Sequence, residues 1–281
     1  MREMLKHLRY VVSENMITAI AFGLFILIVF LGIFGPLIVP YDPLASNTAI
    51  ALQPPSWAHW FGTDNLGRDV LSRVIVATQL DLAISVAAVA LSFAIGSVFG
   101  SLAGFYGGIG EKVVGRITDT IMAFPLFVLA MGIVAALGNT VENIVYATAI
   151  INLPFYARFA RAEVNVRREA GYVQAARIAG NSDLRLLAFH IYPNILPPMM
   201  VQISLNMGWA ILNAAGLSFI GLGVRPPTPE WGIMVAEGAN FIISGEWWLA
   251  LFPGAALMLA VFCFNLLGDG LRDLIDPRRR T

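Results

Sequence analysis

Cysteine, histidine and charge are all scarce in this 281-residue chain, and each shortage excludes a class of protein. One cysteine, Cys263, permits neither a disulfide framework nor a CxxC metal pair, and it reads as a small core or lipid-facing residue. His7, His59 and His190 are too far apart in sequence to suggest a histidine metal cluster. Charged residues make up 13% of the chain and hydrophobic ones 58%. Soluble domains carry about 25% charged residues, so this is the composition of a bilayer protein. Net charge is zero, which leaves no basic surplus for nucleic acid. The motifs G-x-x-x-x-G-K-[ST], H-E-x-x-H and G-x-S-x-G are missing. Gly221-Leu222-Gly223 leads into Pro226-Pro227 rather than a helix start, so it is no phosphate loop. The chain therefore has no visible means of supplying energy or performing chemistry by itself.

What it has is apolar runs. Residues 17–39 follow Arg2, Lys6 and Arg9, as in a signal peptide, but signal h-regions run to only about 7–15 residues. At ~1.5 Å per residue this run covers roughly 34 Å, enough for a ~30 Å hydrocarbon core. It reads as a retained first span. Further spans are expected at about 82–106, 117–137, 141–159, 198–222 and 249–267, giving an all-α membrane protein with six transmembrane helices. Six spans put both termini on one side. Of 18 Lys and Arg residues, 15 fall on that side, leaving Arg68, Arg73 and Arg225 opposite. The positive-inside rule makes that side, with both termini, cytoplasmic. The domain plan is then a cytoplasmic segment 1–16 and a six-span unit 17–281. Its external segments are about 40–81 and 223–248, and its principal cytoplasmic loop is about 160–197. Trp57, Trp60, Trp231, Trp247 and Trp248 mark the external segments, either as an interfacial aromatic belt or as a cap that meets a delivery protein.

Inside the spans, Gly96, Gly100 and Gly104 recur at intervals of four and share a helix face, which lets a second helix approach closely in lipid. Gln202, Asn206, Trp209 and Asn213 fall within roughly 60° of one another at 100° per residue. Their amides are too polar to face lipid. They either hydrogen-bond between helices or line a translocation route. Arg116–Asp119 and Asp269–Arg272 have the i,i+3 spacing of ion pairs anchoring helix ends. No formal charge sits mid-span, although Asp81 is at a boundary. A proton-driven secondary transporter would need such a group, and an intramembrane protease a Ser/His or paired-Asp set.

The cytoplasmic loop contains Gln174-Ala175-Ala176-Arg177-Ile178-Ala179-Gly180. Residues 167–179 are good helix formers apart from Gly171. Gly180-Asn181-Ser182-Asp183 is a stop-and-restart signal, with Gly at C′ and Ser or Asp to cap the next helix. A structured, alanine-surfaced knuckle suggests a docking element for another protein.

Four segments carry a family resemblance: residues 59–73 (HWFGTDNLGRDVLSR); 172–177 (YVQAAR) with Gly180 and 190–194 (HIYPN); 217–223 (LSFIGLG) with 226–232 (PPTPEWG); and 264–273 (FNLLGDGLRD) with 276–278 (DPR). In these the chain resembles the permease subunits of bacterial ABC importers for peptides and nickel, most closely the "C"-type partner of the dipeptide and oligopeptide systems. The resemblance implies a type I importer permease fold in the bacterial inner membrane, without an ATPase site or a cofactor of its own. The implied partners are a homologous second permease, two cytoplasmic ATP-binding subunits that use ATP and Mg, and an external solute-binding protein. The implied cargo is short peptides, with opines, glutathione-like compounds and nickel chelates as alternatives. The family's coupling loop carries over to Gln174, Ala175, Ala176 and Gly180, with Tyr172 and Arg177 as added contacts. Gln174 replaces the family's usual Glu, so no salt bridge to the ATPase is expected there. Asn213-Ala214 likewise stands where the family often has an acidic residue.

Overall fold

The computed structural model describes residues 16–275. Most of the 1–16 segment, and the basic residues Arg278, Arg279 and Arg280, lie outside them. Apart from one isolated bridge between Thr63 and Asp69, the regular elements are helical. Helix α1 is Met16–Ile38, and α2 is Val70–Tyr106. At ~1.5 Å per residue α2 is roughly 55 Å long, well beyond the run expected from residue 82. It begins early because Asp69 caps it, accepting from Ser72 N at 2.8 Å and Ser72 Oγ at 2.7 Å. Asp81, expected at a span boundary, therefore sits inside a helix and is 1% exposed.

The third expected span is not one helix. Helix α3, Gly108–Met122, and α4, Leu126–Leu137, meet at a bend of 88°. Pro125 explains the break: it lacks an N–H and disfavours helical geometry at Phe124. Helix α5 is Val141–Arg167, capped by Thr140, and runs well past the expected end at 159. The predicted helix over 167–179 is interrupted, since Ala170 is extended (φ −68°, ψ 147°). Helix α6, Gly171–Ile178, restarts at the glycine, the poorest helix former of that stretch. A turn at Asp183–Arg185 and a π-helical stretch at Leu186–Ile191 lead into α7, Tyr192–Phe219. Pro193 would crowd the carbonyl four residues back, and the wider π-turn relieves that conflict. Helices α8, Trp231–Ala239, and α9, Trp248–Ile275, complete the chain.

Among the described residues, four helices are long and apolar enough to cross a membrane, and the bent α3–α4 pair would make a fifth. Helix α5 has the length but carries more polar residues, including Asn152, Arg158, Arg161 and Glu163. The apolar side chains of α1 and α9 that point outward, such as Ile26, Ile33, Met258 and Phe262, suit a lipid surround.

Helices α2 and α5 make the most intimate contact in the molecule. A Cβ at Gly96 would lie 2.8 Å from the Leu153 carbonyl, one at Gly104 2.7 Å from the Arg161 carbonyl, and one at Gly100 would overlap Ala157 O. The three-glycine face read from sequence is therefore a backbone-to-backbone zipper. Helices α1, α7 and α9 surround the pair over one apolar cluster. A second cluster joins α4, α5 and α7 through Val134, Ile144, Ile151 and Leu217.

The end of the bundle expected to be external is locked by buried polar groups. Arg73 Nη1 donates to Pro43 O (3.1 Å) and Pro227 O (3.3 Å), joining both long segments to α2. Trp231 and Trp248 are not interfacial, as a belt would require. They are buried, and their indole N–H groups donate to Val74 O (3.0 Å) and Thr63 O (3.3 Å). Trp57, by contrast, is 97% exposed. The expected pairing of Arg116 with Asp119 gives way to Arg158–Asp119 at 2.6 Å, between exposed side chains and hence worth little. Asp269 and Arg272 form no ion pair with each other.

Glu230 caps α8 through Gly232 N (2.9 Å) and Ile233 N (2.8 Å), beside Asp81 and Ser218. Asp81 in turn accepts from Trp231 N at 3.1 Å. Burial pushes the Glu230 carboxyl above its ordinary range, so the docked Glu230–Asp81 pair holds a proton that the detached form releases. Docking of α8 should weaken as pH rises above the ordinary Glu value of about 4.3. Thermal unfolding of the purified chain should occur at lower temperature at alkaline than at mildly acidic pH. Glu230→Gln should flatten that dependence, and an unchanged slope would contradict the assignment to Glu230.

Candidate functional site

Two sites were expected, and the structure gives each a definite geometry. At the knuckle, α6 turns Val173, fully buried, and Ala176, half-buried, toward the bundle. Tyr172, Ala175 and Arg177 face outward, and Gln174 is half-buried with Nε2 donating to Glu169 at 3.1 Å. Gly180 has φ +86°, the left-handed geometry expected of a C′ glycine, and its N–H donates to Arg177 O at 3.0 Å. Asn181 completes the turn, with Nδ2 donating to Ala176 O at 2.8 Å. Ser182 stands at the next N-cap position but its side chain makes no capping bond.

Sequence reasoning missed three residues here. Ile178 is 88% exposed, Leu184 64% and Phe189 74%, so apolar side chains are left uncovered on both sides of the turn in sequence. For Ile178 a signal existed. At 100° per residue it lies about 140° from Val173, so an inward Val173 sends Ile178 outward. The knuckle is seated on the bundle by Arg168, whose Nη1 donates to Gly104 O at 3.1 Å, and by a Ser97–Tyr192 hydroxyl pair at 2.9 Å.

The second site is a cavity of about 300 Å³ to which Gln202, Asn206, Trp209 and Asn213 all contribute. The structure thus brings together the four residues singled out on α7. Gln202 Nε2 donates to Asn206 Oδ1 at 3.2 Å, while Trp209 is 64% exposed. Asn152 of α5 and Asn265 of α9 join them, with Phe127 and Phe155 as apolar walls. Neither asparagine was singled out in the sequence, because the helices that bring them to the α7 amides lie far away in the chain. Among the described residues, no acidic, basic or histidine side chain lines the cavity. It is a neutral chamber with several amides, suited to hydrogen bonding and not to proton transfer or nucleophilic attack.

An exposed apolar turn thus lies at one place on the bundle and a neutral chamber lies between its helices. Residues 96–281 match the family described as the binding-protein-dependent transport system inner membrane component. The chain belongs to that family. Residues 12–55 also match the N-terminal transmembrane domain of oligopeptide transport permease C. The probable D,D-dipeptide transport system permease protein DdpC of Escherichia coli K12 is 44% identical over 269 residues, 96% of this chain and 90% of that protein. The dipeptide permease DppC of Alkalihalophilus pseudofirmus is 39% identical over 280 residues, covering 100% of this chain and 90% of its own. The glutathione transport system permease protein GsiD of Pectobacterium atrosepticum is 39% identical over 265 residues, covering 94% and 88% respectively. The protein is thus a multi-pass inner-membrane permease, a non-catalytic subunit that works with an ATPase and a binding protein.

Proposed function

We propose that this chain is one of two homologous permease halves forming the pathway of an ATP-driven importer for short peptides. Two ATP-binding subunits lie beneath the permease pair, one of them docking at this chain's knuckle, and a solute-binding protein delivers cargo to the opposite face. ATP and Mg are handled by those partners. The single observation that carries this reading is the neutral amide cavity lined from α4, α5, α7 and α9. The named relatives, which transport dipeptides or glutathione, support a peptide-like cargo. Glutathione-like compounds are the second reading, because such a permease is among them; opines and nickel chelates have no comparable support.

Six spans are supported by α1, α2, the bent α3–α4 pair, α5, α7 and α9. The charge bias supports cytoplasmic termini and knuckle. A cysteine placed at Ala175 should then react only with reagents reaching the inner face, and one at Trp57 only from outside; the reverse pattern would overturn the orientation. Function is tested by reconstitution. Uptake of trialanine into vesicles should require ATP, both permeases, the ATPases and the binding protein together. Uphill uptake by this chain alone would refute the proposal. Combined Gln202→Leu, Asn206→Leu and Asn213→Leu should reduce uptake by about tenfold or more, as expected when several hydrogen-bonding groups are lost; unchanged uptake would remove these residues from the pathway.

A further inference from the structure

The amides of the cavity are held in a defined orientation by their own helices. Asn152 Nδ2 donates to Thr148 O at 2.9 Å, and Asn213 Nδ2 donates to Trp209 O at 2.9 Å. A backbone carbonyl can only accept, so chemistry fixes which end of each carboxamide turns toward its helix. The end left over is Oδ1, an acceptor, and no protein group among the described residues donates to it at either position. The two residues belong to different helices, α5 and α7, yet line the same cavity, while Asn206 Oδ1 is already engaged by Gln202. Among the described residues the chamber thus offers spare acceptors, no cation and no carboxylate.

Resting on the peptide reading above, we propose that Asn152 and Asn213 form a transit subsite whose Oδ1 atoms accept hydrogen bonds from internal amide N–H groups of the passing peptide. Phe127, Phe155 and Trp209 supply flat apolar surface that tolerates different side chains. Such a site checks for a backbone donor and ignores side-chain charge. Its bonds replace those the peptide gives up on leaving water, so cargo crosses without being trapped.

The test uses the complete importer in proteoliposomes with two probes: trialanine, and trialanine N-methylated at both of its peptide nitrogens. The quantity read is peptide imported per ATP hydrolysed. The natural importer should favour trialanine by about fivefold or more, the range expected for a hydrogen bond or two. Asn152→Leu with Asn213→Leu should lower the trialanine yield by a similar factor and erase the preference. Because the binding protein is the same throughout, a changed preference belongs to the permease. Asn152→Thr with Asn213→Thr should retain it, since a hydroxyl donates to the same helix carbonyl and keeps lone pairs free.

Copurification of all subunits shows whether the leucine pair assembles; if it does not, retention or loss of the preference in the threonine pair decides. A leucine pair with full yield and preference overturns the subsite. So does a threonine pair that has lost the preference, which would indicate shape instead of hydrogen bonding. Equal import of both probes by the natural importer overturns the subsite but leaves the peptide reading standing. No trialanine import at all overturns both.

Discussion

Ile178→Arg should reduce cargo-stimulated ATP hydrolysis by the assembled importer to its unstimulated level. Ile178 ends α6 beside the Gly180 turn and is 88% exposed, so the chain gains nothing from this side chain by itself. If the turn seats in a groove of the ATPase, burying isoleucine stabilises the contact by roughly 1.5–3 kcal/mol. Arginine would forfeit that and bring a cation into an apolar setting, which costs more still. Together these amount to at least a hundredfold weaker docking. Insertion and pairing with the second permease should be normal, because the substituted side chain is almost wholly exposed. Ala176→Arg is a less clean probe, since Ala176 packs against the bundle core. Gly180→Pro would also break the turn, because φ +86° is closed to proline and the bond to Arg177 O needs the N–H. The decisive measurement is hydrolysis with and without loaded binding protein. Full stimulation in Ile178→Arg would move the docking surface elsewhere.

Gly100→Leu should prevent accumulation of folded protein. Even a Cβ at this position would overlap the Ala157 carbonyl, which is backbone and cannot rotate aside. Overpacking usually costs about 1–3 kcal/mol, and more where the obstructing atom cannot move. Forcing α2 and α5 apart would also undo the flanking contacts at Gly96 and Gly104, so the loss should exceed the whole stability of the chain. Gly23 provides the control, since a Cβ there meets nothing within 4 Å. Gly23→Ala should be neutral or gain the ~1 kcal/mol of helix preference that glycine forgoes. Detergent-extracted yield and thermal unfolding measure both. Normal yield of Gly100→Leu would mean that the two helices do not pack as described.

The parts of this architecture legible in sequence were those set by strong local rules. Apolar length gave the spans to within a few residues for α1. The glycine spacing gave the zipper, and Gly180 gave the turn. The four α7 residues shared one face because α7 is regular where they lie. What escaped depended on partners distant in the chain. Nothing local to Trp231 announces that its indole will find Val74 O, and nothing local to Arg73 announces Pro227. Asp119 chose Arg158 over its near neighbour for the same reason. The 88° bend was different, because Pro125 was in plain view; the apolar run around it had been read as one helix. Asn152 and Asn265 gained their place beside the α7 amides only when four helices met around one cavity.

The zipper between α2 and α5 has a mechanical consequence. Backbones interlocked at three levels cannot slide past each other or splay without clashing, so the pair must tilt as one rigid strut. One tip of that strut adjoins the Arg168 junction and the docking turn; the other carries the Arg73 clasp that grips both long segments. With α5 spanning roughly 40 Å, a small rocking at the Arg168 end would reappear at the far rim as a displacement of the clasp.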